Sequence, residues 1–383
     1  MAYIPYGKQY IDEDDILAVI DVLRSDWLTT GPKVQEFEKR LAQQINAKYV
    51  VVFSSGTAAL HGAYFSSGVK EGDEVITSPI TFAATANAAC FLGAKPVFVD
   101  VESTTVNINP QQIETAITPQ TRVITPVDFT GHPADMEAVM EIARKYNLTV
   151  VEDAAHALGA GYKGRPVGSI ADMTVFSFHP VKHITTGEGG AIATNSEAHY
   201  QKLLSFRTHG ITKDTAQLTE YSGPWYHEMQ FLGYNYRITD IQCALGISQL
   251  NKLNTFLKRR REIANIYNQE LKDITAIEIP VTVADCIPAW HLYVIRLAGK
   301  NPPRRALFEA LQSRGIGVQV HYIPVYRHPY YRMLGYRQDL CPQAEDYYQR
   351  CISLPIFPAM TDKDIDGVIS GLKSVIKEIY SGT

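Results

Sequence analysis

Between Tyr49 and Asp153, short apolar runs alternate with stretches of helical texture: YVVVF then TAALHGAYF, DEVITS then FAATANAACF, KPVFVD then PQQIETAI, RVITPVDF then DMEAVMEIARKY, and finally LTVVED. Alternation of this kind demands crossover helices between neighbouring strands, so it predicts βαβ units and a parallel sheet covered on both faces. MTVFSF and GAIATN add two further strands, and a helix is expected around Glu197–Arg207. Upstream, residues 12–24 (DEDDILAVIDVLR) predict a helix whose acidic first turn suits the helix dipole and whose one face carries Ile16, Leu17, Ile20 and Leu23. Residues 238–272 read as two helices, the second carrying KRRREIANIYNQEL. The remainder (WHLYVIRL, RRALFEALQSRG, GVQVHYI, AEDYYQRCISL, DIDGVISGLKSVIKEI) mixes strands and helices as a small α+β unit. The expected division is a large domain over 1–250 and a small one over 251–383. From His209 to Tyr236 the chain is rich in Gly, Tyr, Trp and His with no period, and so long a loop in a compact protein is expected to bind or cover something.

Composition narrows the function. The 36 basic and 40 acidic residues leave a net charge of −4, so there is no positive field to hold a polyphosphate backbone, and nucleic acid is not an expected partner. No stretch approaches the roughly 18 consecutive apolar residues of a membrane span. Cys90, Cys243, Cys286, Cys341 and Cys351 are far apart and never in ligand spacing, which predicts reduced structural thiols and no metal centre. MAYIPYGKQY lacks the basic start and apolar core of a secretory signal, so a cytoplasmic protein is expected.

Three segments carry chemistry. Ser54-Ser55-Gly56-Thr57-Ala58 is a strand end running straight into a helix, where free backbone amides, hydroxyls and a glycine make an anion site. Glu152, Asp153 and His156 follow an apolar strand at its carboxyl end, where open α/β sheets put their ligands. Lys182, in SFHPVKHITTGEGG, is hemmed by histidines, a proline and a glycine-rich turn. In a cleft, desolvation and nearby cations would make it a Schiff-base nucleophile. Each segment alone has an ordinary explanation as helix cap, loop acid or solvated lysine. Together they supply what pyridoxal 5′-phosphate demands: a phosphate cradle, a partner for the pyridine nitrogen and an aldehyde-binding amine.

SSGTAAL, TFAATANA, VVEDAAHALGA, SFHPVKHITTGEGG and GYNYRITDIQCALG, in this order, resemble the fold-type I sugar aminotransferases of the DegT/StrS kind across nearly the whole chain. The resemblance implies an α/β fold-type I transferase, with a large, mainly parallel α/β/α sheet domain and a smaller C-terminal α+β domain. It implies Lys182 as the amine that carries the cofactor and then shuttles a proton, and Asp153 as the partner of the pyridinium nitrogen. Phe82 would stack on the ring. Gly56, Thr57 and Ser177 would hold the phosphate, together with Asn235 reaching across from a partner subunit, which implies a homodimer with shared active sites. His156 stands where the family often has Gln and would contact the ring oxygen or the donor's carboxylate.

Within the family, IPYGKQYIDEDDI, SDWLTTGPKV and the Pro-Val pair before Lys182 resemble the branch that serves pseudaminic acid biosynthesis. That likeness implies a UDP-4-keto-6-deoxy-N-acetylhexosamine aminated at C4, with L-glutamate as donor. Tyr6, the Asp26-Trp27-Leu28-Thr29 segment and His321-Tyr322-Ile323-Pro324 match positions that line the sugar-nucleotide pocket, and Arg207 and His209 start the long loop near it. Other readings are amination of a different nucleotide-linked keto sugar at C3 or C4, a sugar dehydratase of the same fold, where the lysine position is typically histidine, or a non-catalytic regulator. A nucleoside-triphosphate enzyme is disfavoured, because GEGG after Lys182 is not a G-x-x-x-x-G-K-[ST] loop.

Overall fold

The computed structural model describes residues 3–299 and 301–380. Seven strands form the central sheet: β1 (Tyr49–Phe53), β2 (Glu74–Thr77), β3 (Lys95–Phe98), β4 (Thr121–Thr125), β5 (Thr149–Asp153), β6 (Met173–Ser177) and β7 (Gly190–Thr194). Their spatial order is β1-β7-β6-β5-β4-β2-β3. Neighbours pair in parallel from β3 through to β6, whereas β7 runs antiparallel to both β6 and β1. The expected parallel, buried sheet is thus present with one reversed strand. The reversal has a local cause: β6 and β7 are joined by residues 178–189 without a helix, too short a path to return to the other end of the sheet.

Before the sheet come α1 (Glu13–Leu23) and α2 (Pro32–Ile45); the crossovers are α3 (Gly56–Ser66), α4 (Ala84–Cys90), α5 (Pro110–Ala116) and α6 (Met136–Tyr146). After β7 come α7 (Glu197–Phe206) and α8 (Asp240–Leu271). The C-terminal part is built on a three-stranded antiparallel sheet of Ile277–Glu278, Tyr293–Leu297 and Cys351–Leu354, with helices including Arg304–Ser313 and Asp362–Tyr380. All five cysteines are free. Among the described residues no helix is long and apolar enough to cross a membrane.

One helical expectation needs correction. Residues 240–271 form one 32-residue helix, not two. It starts on a capping box between Thr239 and Gln242, and it contains no proline to stop it. Its first half packs Cys243, Ile247, Leu250, Leu253 and Leu257 with Phe37 and Phe178. Its last turns pack Ile263, Ala264, Tyr267 and Leu271 with Tyr293, Leu311 and Leu372. The expected division at 250 falls inside this helix.

The expected helix α1 is present, and its apolar face lies largely outside the core: Ile16, Leu17 and Leu23 are 45%, 48% and 56% exposed. The buried residues of α1 are Asp15 and Val22. The helix docks on α8 by its polar edge: Asp15 accepts a hydrogen bond from Gln249 Nε2 at 2.8 Å and pairs with Lys252 Nζ at 3.0 Å. A well-partnered buried carboxylate decides the rotation of the helix, and the apolar residues follow it outward.

Candidate active site

The carboxyl ends of β1, β5 and β6 and the amino end of β7 open into a cavity of about 480 Å³, lined among others by Gly56, Thr57, Phe82, Asp153, His156, Ser177 and Lys182. It is built where helices and strand ends converge, the usual ligand position of an open α/β sheet. At its β1 side, Ser55 caps α3 by accepting from the Ala58 amide at 3.1 Å. The amides of Gly56 and Thr57, ahead of that bond, have no acceptor among the described residues, so the helix presents two free donors to the cavity. A Cβ on Gly56 would stand 3.2 Å from Ser177 Cβ, and one on Gly190 would stand 2.5 Å from the Ser55 carbonyl oxygen. Glycine at both positions lets three chain segments close round a small anion.

Asp153, at the end of β5, is 4% exposed. Thr85 Oγ1 donates to its Oδ2 at 2.7 Å and the Ala155 amide to its Oδ1 at 3.2 Å. Burial pushes its pKa up, while Thr85, Ala155 and the Lys182 ammonium work against that rise. A cationic ring nitrogen beside it would complete the pairing that burial makes necessary. Lys182 follows β6 in a tight turn, its amide donating to the His179 carbonyl at 2.9 Å. Burial lowers its pKa to about 8, so near neutral pH an appreciable fraction is free amine. The Phe82 ring is 63% exposed although it lines the cavity, which leaves its face open and rules out core packing as its role.

His156 shares a hydrogen bond of 3.1 Å between its Nε2 and the hydroxyl of Tyr322, and its ring lies 4.3 Å from that of His291. Its buried Nδ1 has no hydrogen-bond partner among the described residues. Burial holds His156, His183 and His291 neutral and takes His321 down to about 4. Of the expected sugar-nucleotide residues, Tyr6, His321 and Tyr322 line the cavity, with the Tyr6 and His321 rings 5.5 Å apart. Ile323 and Pro324 do not line it. Asp26, Trp27, Leu28 and Thr29 lie exposed on this chain, outside the cavity, as does Asn235. Arg207 is taken up elsewhere: it pairs with Glu38 at 2.6 Å and donates to the Val52 carbonyl. Thr85 and His291 were not singled out from sequence. Thr85 is one more small residue in TFAATANA, and His291 sits in a strand-like run that only the tertiary fold brings to the cavity.

The free helix amides, the strand-end carboxyl, the desolvated amine and the open aromatic face fit pyridoxal 5′-phosphate, and fold and cavity together define a fold-type I aminotransferase. The chain belongs to the DegT/DnrJ/EryC1/StrS aminotransferase family, whose profile matches residues 9–373. It is 42% identical to the spore coat polysaccharide biosynthesis protein SpsC of Bacillus subtilis, over 98% of this chain and 97% of the relative. It is 40% identical to the UDP-4-amino-4,6-dideoxy-N-acetyl-beta-L-altrosamine transaminase of Campylobacter jejuni, over 99% of both. Helicobacter pylori PseC, an aminotransferase involved in the biosynthesis of pseudoaminic acid, superposes with a TM-score of 0.93 at 33% identity, covering 98% of this chain and 100% of that one. The sugar aminotransferase Spr1654 of Streptococcus pneumoniae, solved in PLP and PMP forms, superposes with TM-scores of 0.92 and 0.93 at 32% identity, over 98–99% of this chain and 99% of its own. The protein is a sugar aminotransferase with pyridoxal phosphate as cofactor.

Proposed function

We propose that the protein transfers the amino group of L-glutamate to C4 of a UDP-4-keto-6-deoxy-N-acetylhexosamine. The observation that carries the reading is the meeting of Lys182, Asp153 and the free Gly56 and Thr57 amides on one cavity. The 40% identity to the Campylobacter transaminase over 99% of the chain supports this choice of substrate. When bound, pyridoxal phosphate supplies an aldehyde that accepts and gives up the amino group and a ring that takes the electron pair of the broken C–H bond.

This chain's residues do the rest. The Gly56 and Thr57 amides with Ser177 bind the phosphate, and Phe82 fixes the tilt of the ring. Asp153 holds a proton on the ring nitrogen. Nζ of Lys182 holds the cofactor in the resting state; once free, it moves the proton at the substrate carbon, which its lowered pKa suits. Tyr6, His321 and Tyr322 offer aromatic and hydrogen-bonding surface to the sugar nucleotide. Asn235 and the Asp26–Thr29 segment, exposed on this chain, serve the cavity of a second copy, so the working unit is a homodimer in the cytoplasm.

A visible-absorbance titration tests the reading. L-glutamate should abolish the band of the bound cofactor, and UDP-4-keto-6-deoxy-β-L-AltNAc should restore it after the glutamate is removed. Loss without return would redirect the assignment to another keto sugar, and no band even with added cofactor would end it. In Lys182→Ala, turnover should vanish while the circular dichroism spectrum stays native; turnover at the native rate would remove the lysine from its role.

A further inference from the structure

Of the motif Thr81-Phe82-Ala83-Ala84-Thr85, the proposed function uses only the aromatic ring. Its two hydroxyls are buried, and both residues line the cavity. Thr85 Oγ1 stands 2.7 Å from Asp153 Oδ2, 2.7 Å from Thr81 Oγ1 and 3.2 Å from the Phe82 carbonyl oxygen. A threonine hydroxyl carries one proton. The carboxylate is the charged acceptor and lies closer than the carbonyl, so the Thr85 proton goes to Oδ2. Thr85 Oγ1 is then left to accept, and Thr81, whose hydroxyl has no other partner among the described residues, is its donor. The direction of the chain is thereby fixed, from Thr81 to Thr85 to Asp153. The other oxygen of the carboxyl, Oδ1, takes the Ala155 amide at the longer distance of 3.2 Å. The turn is itself held in place: the Thr85 amide donates to the Phe82 carbonyl at 3.2 Å, and the Tyr64 hydroxyl on α3 donates to the Thr85 carbonyl at 3.0 Å.

We propose that Thr81 and Thr85 are positioning residues of the transaminase site: a two-hydroxyl donor chain that fixes Asp153 Oδ2 and keeps the carboxyl an anion, so that the proton it shares with the cofactor rests on the ring nitrogen. A carboxylate taken out of water becomes a stronger base, and hydrogen bonds to its charged form reverse that gain. A hydroxyl that is itself receiving a hydrogen bond is the better donor, which is what Thr81 adds to Thr85. Without the chain, Oδ2 would be a bare buried oxygen, the carboxyl would draw the proton to itself, and the ring would be left neutral. With it, Asp153 holds the proton on nitrogen without taking it. Phe82 belongs to the same turn, so one short piece of chain sets both the tilt of the ring and its charge.

The inference rests on Asp153 being the partner of the ring nitrogen, and the test separates the two. Pyridoxamine 5′-phosphate carrying a nitrogen-15 label in the ring is bound to the full chain, and NMR reads whether that atom holds a proton, with no turnover required. The wild-type resonance should be that of a protonated ring. Thr85→Val, which keeps the shape and loses the hydroxyl, should move it towards the neutral pyridine position. Thr81→Val should move it the same way by less, and it decides alone if Thr85→Val does not fold. Thr85→Ser should restore the wild-type resonance. The rate of the half-reaction with L-glutamate should fall about 10–100-fold in Thr85→Val, the range for a lost hydrogen bond to a charged group, and about 2–5-fold in Thr81→Val. Asp153→Asn should give the neutral resonance by itself, and adding Thr85→Val to it should change nothing further. A ring that stays protonated in the folded valine variants overturns the proposal and leaves the role of Asp153 standing. A further shift when Thr85→Val is added to Asp153→Asn overturns it too, because Thr85 would then act by packing. A protonated ring in Asp153→Asn overturns the role of Asp153 and the proposal together.

Discussion

Asp153 shows how a single carboxyl is prepared for a role. The backbone that ends β5 buries it, and two donors, Thr85 and the Ala155 amide, keep an anion tolerable there. Asp153→Asn keeps the shape and loses the charge, so turnover should fall about 10²–10³-fold in a steady-state assay. A loss under threefold would mean that the ring nitrogen does not need this partner. Phe82 works by contact alone. Phe82→Ala should raise the dissociation constant of the cofactor about 2–10-fold, read by equilibrium dialysis, because stacking of this kind contributes about 0.5–1.5 kcal/mol. Asn235→Ala should weaken cofactor retention in the dimer, and unaltered affinity would count against the cross-subunit contact.

The strands and crossovers from Tyr49 to Asp153 were legible because their period is set locally, by burial on both faces of the sheet. The reversed direction of β7 was not, since GAIATN reads the same in either direction and only the short β6–β7 connection decides it. The rotation of α1 was hidden for a different reason: its apolar residues suggested one face, but Gln249 and Lys252, over two hundred residues away, fix the opposite one. Lys182, Asp153 and the Gly56 turn were readable as motifs, whereas Thr85 and His291 gain their meaning from three-dimensional neighbours. The β7 start also carries a testable demand. A methyl at Gly190 would meet the Ser55 carbonyl at 2.5 Å and the Gly56 nitrogen at 2.7 Å, both backbone atoms that cannot step aside cheaply. Gly190→Ala should cost about 2–3 kcal/mol in a denaturant titration, and a change under 0.5 kcal/mol would show that β1 and β7 are less closely apposed.

Taken as a whole, the molecule carries an acid sensitivity. His61, His132, His156, His183, His199, His291 and His321 are all held below their ordinary value, with burial as the leading cause. The unfolded chain takes up protons at about pH 6.5, where the folded one does not, so the stability these groups contribute is present above that pH and is lost below it. Asp128 and Glu152, buried side by side, and Asp153 act with the opposite sign: burial raises all three, Glu152 to about 7, so they favour the fold as the pH falls. Seven groups outweigh three, and the urea midpoint should drop between pH 7 and pH 5; a flat or rising midpoint would refute the balance. The long helix α8 has a bearing on recombination between relatives. Because one unbroken rod supplies side chains to both cores, a chimera joined in its middle would pair half-faces that never evolved together. Crossovers placed in the loop before Thr239 or after Leu271 keep the rod from a single parent, and these are the seams along which sugar specificity could be exchanged without rebuilding the scaffold.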